Sequence, residues 1–509
     1  MALALRKRTS HGAGGAGALG PLPLPTFDFS RSTFGGLLGP GGMLSELATP
    51  TLRLGVTGLA RAGKTVFITS LVRNLVREAR LPFFVASAQG RIVRAYLEPQ
   101  PDHDVPRFAY EDHLAALAAD PPEWPQSTRR ISELRVTIEY RSQHPFWRQL
   151  GDQRLHVDIV DYPGEWLIDL PLLGQSYRDW CDSSLARLER PGRTAAAKDV
   201  IDFIRGLQTE GPRDEQAALD GAKLFTRYLL AERHSGAFEP TLGPGRFLLP
   251  GELEGSPLLT FLPVPAPSGT APRGSMRELL EGRYRSYVKK VVEPFFRDHF
   301  ARLDRQIVLV DALSAIDRGS AALSDLEATL ASVLGAFRTG DRSLLAMFRP
   351  RRIDRILLAA TKADHVPRSS HDRLETILAG LTARAAERAR YSGAEVRAMA
   401  IAALRATQEA EVNRGAPEPA LLGVPLPGER IGHETFDGRR KVALYPGDLP
   451  SSLDEALAAE PSTGTDRDVA LVRFRPYRIG PDTATGAAQP WPHIRLDRAL
   501  EFLLGDRLE

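Results

Sequence analysis

An α/β fold is what this sequence predicts: a mainly parallel sheet with helices on both faces, plus a large helical insertion. Three observations carry that prediction. From Leu52 onward, apolar runs of strand length alternate with runs at helical spacing. A glycine-rich loop joins the first such strand to the first such helix. Residues 166–304 then abandon the alternation for a mostly helical pattern before strand and helix resume.

The first strand is read at Leu52–Thr57, which alternates, and the first helix at Val66–Val76, which is amphipathic. Between them Gly58-Leu-Ala-Arg-Ala-Gly-Lys-Thr65 fits G-x-x-x-x-G-K-[ST] in the strand–loop–helix context that gives the pattern meaning. This is the arrangement of a P-loop NTPase. The loop's N–H groups and the helix N-terminus make a cradle for phosphate oxygens, and Gly58 and Gly63 keep side chains out of it. Arg61, Ala62 and Val66 complete the expected phosphate contacts. Lys64 is expected to reach the outer phosphates and the Thr65 hydroxyl to hold Mg²⁺.

Later strands follow at Leu134–Tyr140, Leu155–Asp161, Gln306–Asp311, Ile353–Ala360 and Val396–Ala403. Leu323, Leu326, Leu330, Leu334 and Phe337 recur at helical spacing, and a further helix is read around Arg373–Arg390. Within the insertion, Leu280, Tyr284, Tyr287, Val291, Phe295 and Phe296 share one side of a long helix expected to break at Pro294. Residues 410–490 read as loop-rich with one strand at Val469–Arg475, and Leu496–Leu508 as a closing helix. The expected division is a disordered Gly/Pro-rich tail at 1–48, with Phe27, Phe29 and Phe34 as docking points, then two core parts at 49–165 and 305–409. The helical insertion occupies 166–304 and a C-terminal extension 410–509.

Composition narrows the class. A chain of 509 residues exceeds one simple core, and 43% hydrophobic with 25% charged residues suits a soluble protein. A net charge of +3 gives no argument for a nucleic-acid partner. The single cysteine, Cys181, excludes an intramolecular disulfide and fits a reducing compartment. No apolar run reaches the length of a membrane span, so no transmembrane segment and a cytoplasmic location are expected.

Four further segments carry chemistry. Asp161-Tyr-Pro-Gly164 ends a strand and fits D-x-x-G: Asp161 is expected to orient Mg²⁺ and the Gly164 N–H to meet the terminal phosphate. Thr361-Lys-Ala-Asp364 follows a strand and fits [NT]-K-x-D, in which the Asp364 carboxylate accepts from guanine N1–H and the exocyclic amine. Adenine offers no such donor pair. The stem of Lys362 is expected over the base and His365 beside it. After the next strand, a backbone N–H of Ala403 or Leu404 is placed to meet guanine O6. Trp124-Pro-Gln-Ser-Thr-Arg129 is the candidate for the remaining mobile segment. There Thr128 would be the second protein ligand for Mg²⁺, Ser127 and Arg129 phosphate contacts, and Trp124 a cover for the ribose or base. The alternative there is a surface turn around a packed tryptophan. Where related enzymes carry a water-orienting Gln, this chain has Glu165, which adds negative charge beside a phosphate. Arg61 either offsets that charge or points to solvent. Slow intrinsic hydrolysis is the expectation, with Lys64, Glu165 and Arg61 as the catalytic candidates.

With these motifs in place, the chain resembles the bacterial YcjX-type stress GTPases. The resemblance rests on G-L-A-R-A-G-K-T-V-F-I-T-S-L-V from Gly58 and D-Y-P-G-E-W-L-I-D-L-P from Asp161. Q-I-V-L-V-D-A-L from Gln306, T-K-A-D-H from Thr361, R-A-T after Leu404 and H-I-R-L-D near the end support it. It covers roughly residues 50–509. It implies a Ras-like GTP-binding core, GTP and GDP as ligands, a cytoplasmic protein linked to stress responses, and a membrane-associated protein partner. Ala402-Ala403 replaces the usual Ser-containing version at the base pocket. Two other readings stay open: a nucleotide-gated scaffold in which hydrolysis is incidental, and an ATPase.

Overall fold

The computed structural model describes residues 49–58, 61–77, 81–126, 130–190, 194–235, 243–336, 353–391, 393–413, 417–431, 434–458, 471–477 and 491–509. The N-terminal tail, with Phe27, Phe29 and Phe34, lies outside these residues, as do Phe337, Val469 and the segment Ser127–Arg129.

The first strand, β1 (Thr51–Gly58), leads through the glycine loop into α1 (Lys64–Val76). Then follow β2 (Ile92–Glu98), α2 (Tyr110–Ala118), β3 (Ser132–Tyr140) and β4 (Gln153–Asp161). The helical stretch carries α3 (Tyr177–Leu188), α4 (Ala195–Gly206), α5 (Glu215–Ser235) and α6 (Met276–Tyr287). The sheet resumes with β5 (Arg305–Val310), α7 (Ala312–Arg318), α8 (Ser320–Ala336), β6 (Arg355–Ala360), α9 (His371–Tyr391) and β7 (Glu395–Ala400). A small antiparallel sheet of β8 (Gln408–Asn413), β9 (Pro417–Gly423) and β10 (Val442–Leu444) follows, and α10 (Leu496–Leu504) closes the described chain.

The main sheet has the order β2-β3-β4-β1-β5-β6-β7. Its β4–β1, β1–β5, β5–β6 and β6–β7 pairs are parallel, and β2–β3 and β3–β4 are antiparallel. Side-chain alternation explains why both faces are covered. On β5, Ile307 and Leu309 join Phe67 and Leu71 of α1 and Leu500 and Leu503 of α10 in one core. Val308 and Val310 point the other way, into a second core with Leu323 and Leu330 of α8 and Leu374 and Leu378 of α9. The α/β class with a mainly parallel sheet holds, and the apolar series Leu323, Leu326, Leu330 and Leu334 is buried as its spacing predicts.

The helical stretch has its own core. Trp180 of α3 stacks on Tyr284 of α6 with ring centroids 5.3 Å apart and meets Phe261 edge-on at 5.3 Å. Helix α3 starts where it does because of a capping box: the Asp179 N–H donates to Ser176 Oγ and the Ser176 N–H to Asp179 Oδ2.

Three expectations need correction. Pro294 does not break the chain after α6. Its backbone stays helical (φ −62°, ψ −43°) between two widened π-type turns, Val288–Val292 and Phe295–His299, which accommodate a residue lacking its N–H. The C-terminal region holds strands that the sequence reading did not place, β8, β9 and β10, which pair within it. Conversely, the described part of the expected strand at Val469–Arg475 makes only a single bridge, Phe474 to Pro425.

Candidate functional site

Strands β4, β1, β5, β6 and β7 run parallel, so their carboxyl ends share one edge of the sheet. The turns that follow β1, β6 and β7 open onto a single cavity of about 460 Å³ at that edge.

The loop after β1 forms its floor. A Cβ on Gly58 would lie 2.7 Å from the Leu309 carbonyl oxygen, so only glycine lets the loop leave β1 this close to β5. Gly63 caps α1 in the left-handed region (φ 85°), and Arg61 is also left-handed (φ 64°) and exposed. Helix α1 begins without a side-chain cap and without an acidic residue in its first turn, leaving its N-terminal N–H groups for an anion. Lys64 folds back so that Nζ donates to the Gly58 carbonyl at 3.1 Å. Arg61, Ala62, Gly63, Lys64, Thr65 and Val66 all line the cavity, and Thr65 is buried.

The turn after β6 forms the opposite wall. Lys362 is left-handed (φ 62°) and its Nζ pairs with Asp311 at the end of β5, 2.5 Å away. Asp364 is buried, and its Oδ2 accepts from the Ala406 N–H at 2.6 Å. The Thr407 hydroxyl donates to the Asp364 carbonyl. His365 is buried edge-on against Phe474 with ring centroids 5.3 Å apart, and burial holds its pKa below the usual range, keeping the imidazole neutral at pH 7. Thr361, Lys362, Asp364 and His365 line the cavity together with Ala403 and Leu404 from the turn after β7. Trp124 lines it too, its Nε1–H donating to the Phe474 carbonyl at 2.7 Å.

Gly58, Asp161 and Gly164 do not reach the cavity wall. Asp161 is buried at the end of β4, in register with Val56 of β1 and Ser132 of β3, and Gly164 starts a one-turn helix, Gly164–Leu167. Glu165 in that turn does line the cavity, and its carboxylate is held by Arg233 of α5 at 2.5 Å. The rest of this segment is clasped by the helical stretch. The Trp166 indole donates to the Leu249 carbonyl at 3.2 Å under the Arg246 guanidinium, 3.2 Å from the ring centroid. Asp169 accepts from the Gly245 N–H at 2.7 Å and the Tyr287 hydroxyl at 2.6 Å. Burial pushes the Asp169 carboxyl up to about 6.

Sequence reasoning missed Arg233 and Leu249 from the helical stretch and Leu426, Arg473 and Phe474 from the C-terminal region, all of which line the cavity. Among the described lining residues, Arg61, Lys64, Arg233, Lys362 and Arg473 outnumber the carboxylates Glu165 and Asp364, which suits an anionic ligand. No group of three or more His, Cys, Asp or Glu among the described residues forms a metal cage. The donor set that remains, a buried hydroxyl at Thr65 and a buried carboxylate at Asp161, suits a Mg²⁺ ion that keeps waters and takes phosphate oxygens.

A glycine loop feeding an uncapped helix, with a cation-rich cavity at the carboxyl edge of a parallel sheet, defines an α/β protein of the phosphate-loop class. The family model described as YcjX-like family, DUF463, matches residues 52–508, and the chain belongs to that family. It is 35% identical over 489 residues to a Shewanella oneidensis protein named Ras-like GTPase YcjX, covering 92% of this chain and 96% of that one. It is 36% identical over 468 residues to the Escherichia coli K12 protein of the same name, covering 90% and 96%. Among the described residues no helix is long and apolar enough to cross a membrane.

Proposed function

We propose that this protein binds guanine nucleotide in the cavity and hydrolyses GTP to GDP, acting as a nucleotide-dependent switch. The observation that carries this reading is the meeting, around one cavity, of Lys64 and Thr65 with Asp364 and the Ala403–Leu404 turn. The names of the relatives point the same way. The family resemblance is the support for a role in a bacterial stress response. In this reading residues 49–165 and 305–409 are the core, 166–304 the insertion that supplies Arg233, and 410–509 the extension that supplies Arg473 and Phe474.

The phosphates lie against the N–H groups from Arg61 to Val66, and Lys64 exchanges the Gly58 carbonyl for phosphate oxygens. Thr65 and Asp161 would hold Mg²⁺, which when bound would supply charge neutralisation to the phosphates. Thr128, outside the described residues, would be a further ligand. The Asp364 carboxylate, fixed by the Ala406 N–H, receives the guanine edge, and the Ala403 or Leu404 N–H meets O6. Glu165 orients the attacking water, while its ion pair to Arg233 offsets the charge it brings to the phosphates. A carboxylate doing this work fits slow intrinsic turnover.

Single-turnover hydrolysis on the purified full chain tests the proposal, with phosphate released from stoichiometric GTP as the expected result. Release of none would leave the nucleotide-gated scaffold, which the clasp on residues 165–169 favours as the second reading. Equal affinities for GDP and ADP would remove the role given to Asp364 and point to an ATPase.

A further inference from the structure

A second cavity of about 490 Å³ lies where the turn after β7 and the start of β8 meet the starts of α9 and α10. Four arginines line it: Arg368, Arg405, Arg495 and Arg498. Arg495 is already bound to Glu375 at 2.7 Å and Asp372 at 2.9 Å. The Arg498 guanidinium stacks 4.3 Å from the centroid of the Phe83 ring, which also lines the cavity. Neither Arg368, Arg405 nor Arg498 has a carboxylate partner among the described residues. Two carboxylates face the same space. Asp497 is engaged by the N–H groups of Phe83 at 3.1 Å and Arg498 at 2.9 Å, and Glu409 is exposed. Three guanidinium groups of the wall, at Arg368, Arg405 and Arg498, are therefore left without a carboxylate partner among the described residues.

Buried polar atoms with nothing to bind lie in the same wall. The Arg405 Nε, the His371 Nε2 and the His493 Nδ1 are buried and make no hydrogen bond, although His371 is only 4% exposed. Such atoms cost free energy unless a partner arrives. Backbone groups at Ala363 and Val366 hydrogen-bond the His371 ring, and burial keeps it neutral, which leaves Nε2 a hydrogen-bond acceptor. The guanidinium groups of Arg368, Arg405 and Arg498 that line the cavity call for anionic oxygens, which a phosphate group offers.

We propose that this second cavity binds a free, phosphate-bearing small molecule, at a site separate from the nucleotide cavity. The two cavities share the turn from Ala402 to Glu409 but use different residues of it: Ala402, Ala403 and Leu404 face the first, Arg405, Gln408 and Glu409 the second. The proposal does not depend on the identity of the nucleotide.

Calorimetry with inorganic pyrophosphate as the probe tests it, on the full chain saturated with GDP and on Lys64→Ala, whose phosphate loop is disabled. One saturable site is expected in both, weakened about tenfold or more by Arg405→Gln and by Arg368→Gln. Arg368 is exposed, so its replacement reads out the site even where Arg405→Gln fails to fold. No saturable binding in either protein would overturn the proposal. So would binding that Lys64→Ala abolishes and Arg368→Gln leaves intact, because the probe would then occupy the nucleotide cavity. Binding to phosphatidic acid vesicles without binding to pyrophosphate would replace the free ligand with a lipid headgroup and overturn it as well.

Discussion

Replacing Arg233 with alanine separates two consequences of one ion pair. Its guanidinium lies 2.5 Å from the Glu165 carboxylate, with side-chain exposures of 23% and 9%. Removing one partner of a buried pair costs about 3–5 kcal/mol, and the partial exposure of Arg233 brings the expected loss of stability to roughly 2–3 kcal/mol. Arg233→Ala, Glu165→Gln should recover much of that loss, because no buried charge is then left without its partner. The chemical effect is larger. A positioned arginine beside a transferring phosphoryl group contributes about 10³–10⁵ to the rate, and a residue engaged with a neighbouring carboxylate delivers the lower part of that range. Arg233→Ala should therefore slow single-turnover GTP hydrolysis by at least about 10²-fold. GDP affinity should move less than about threefold, since GDP lacks the phosphate this charge serves. The assay pairs quench-flow phosphate release with GDP calorimetry and thermal unfolding on the same preparations. Hydrolysis at the wild-type rate in a folded Arg233→Ala protein would refute the reasoning.

Other outcomes follow from the same geometry. Asp364→Asn should cut the preference for GDP over ADP by about 10- to 100-fold, as the loss of charge-assisted hydrogen bonds requires, and a competition assay with an unchanged ratio would remove the guanine contact. Trp180→Ala empties the stack between Tyr284 and Phe261 and should destabilise the fold by about 3–5 kcal/mol in denaturant unfolding. Asp169 has a folded-state pKa raised to about 6 from 3.8, so the fold favours its protonated form. The stability this gives is complete below pH 3.8 and is lost as pH rises through about 6, a swing on the order of 3 kcal/mol. Asp169→Asn should flatten that segment of the stability–pH profile, and an unaltered profile would clear Asp169 of it. Gly245→Ala would drive a Cβ into the Glu165 carbonyl and should lower the melting temperature while displacing the segment after Asp161.

What the sequence reveals of the site is what local chemistry specifies. The strand before Gly58, the left-handed residue at Gly63 and the uncapped start of α1 are consequences of neighbouring residues, and they stand where the spacing put them. The turn at Thr361–His365 is local in the same sense, as are the alternating faces of β5 and β6. Contacts between distant residues left no local trace. Arg233 meets Glu165 across 68 residues and Trp124 meets Phe474 across 350; neither partner belongs to a spaced motif. Two strands are hard to read for a different reason. Strand β2 has mostly half-buried residues, and β9 carries Pro417 and Pro419, so the alternation that marks a strand is blurred in both. Pro294 misled because its usual effect assumes a helix held to one pitch, and the widened turns around it relax that constraint.

The clasp around Trp166 has a mechanical corollary. Asp169 holds two donors from separate parts of the helical array, Gly245 and Tyr287, and Arg246 covers the Trp166 indole. Sliding this strip by a few ångströms would break all of these links together. The segment after Asp161 is therefore tied to the helical stretch at three side chains rather than one, and a shift of those helices would be felt at Glu165.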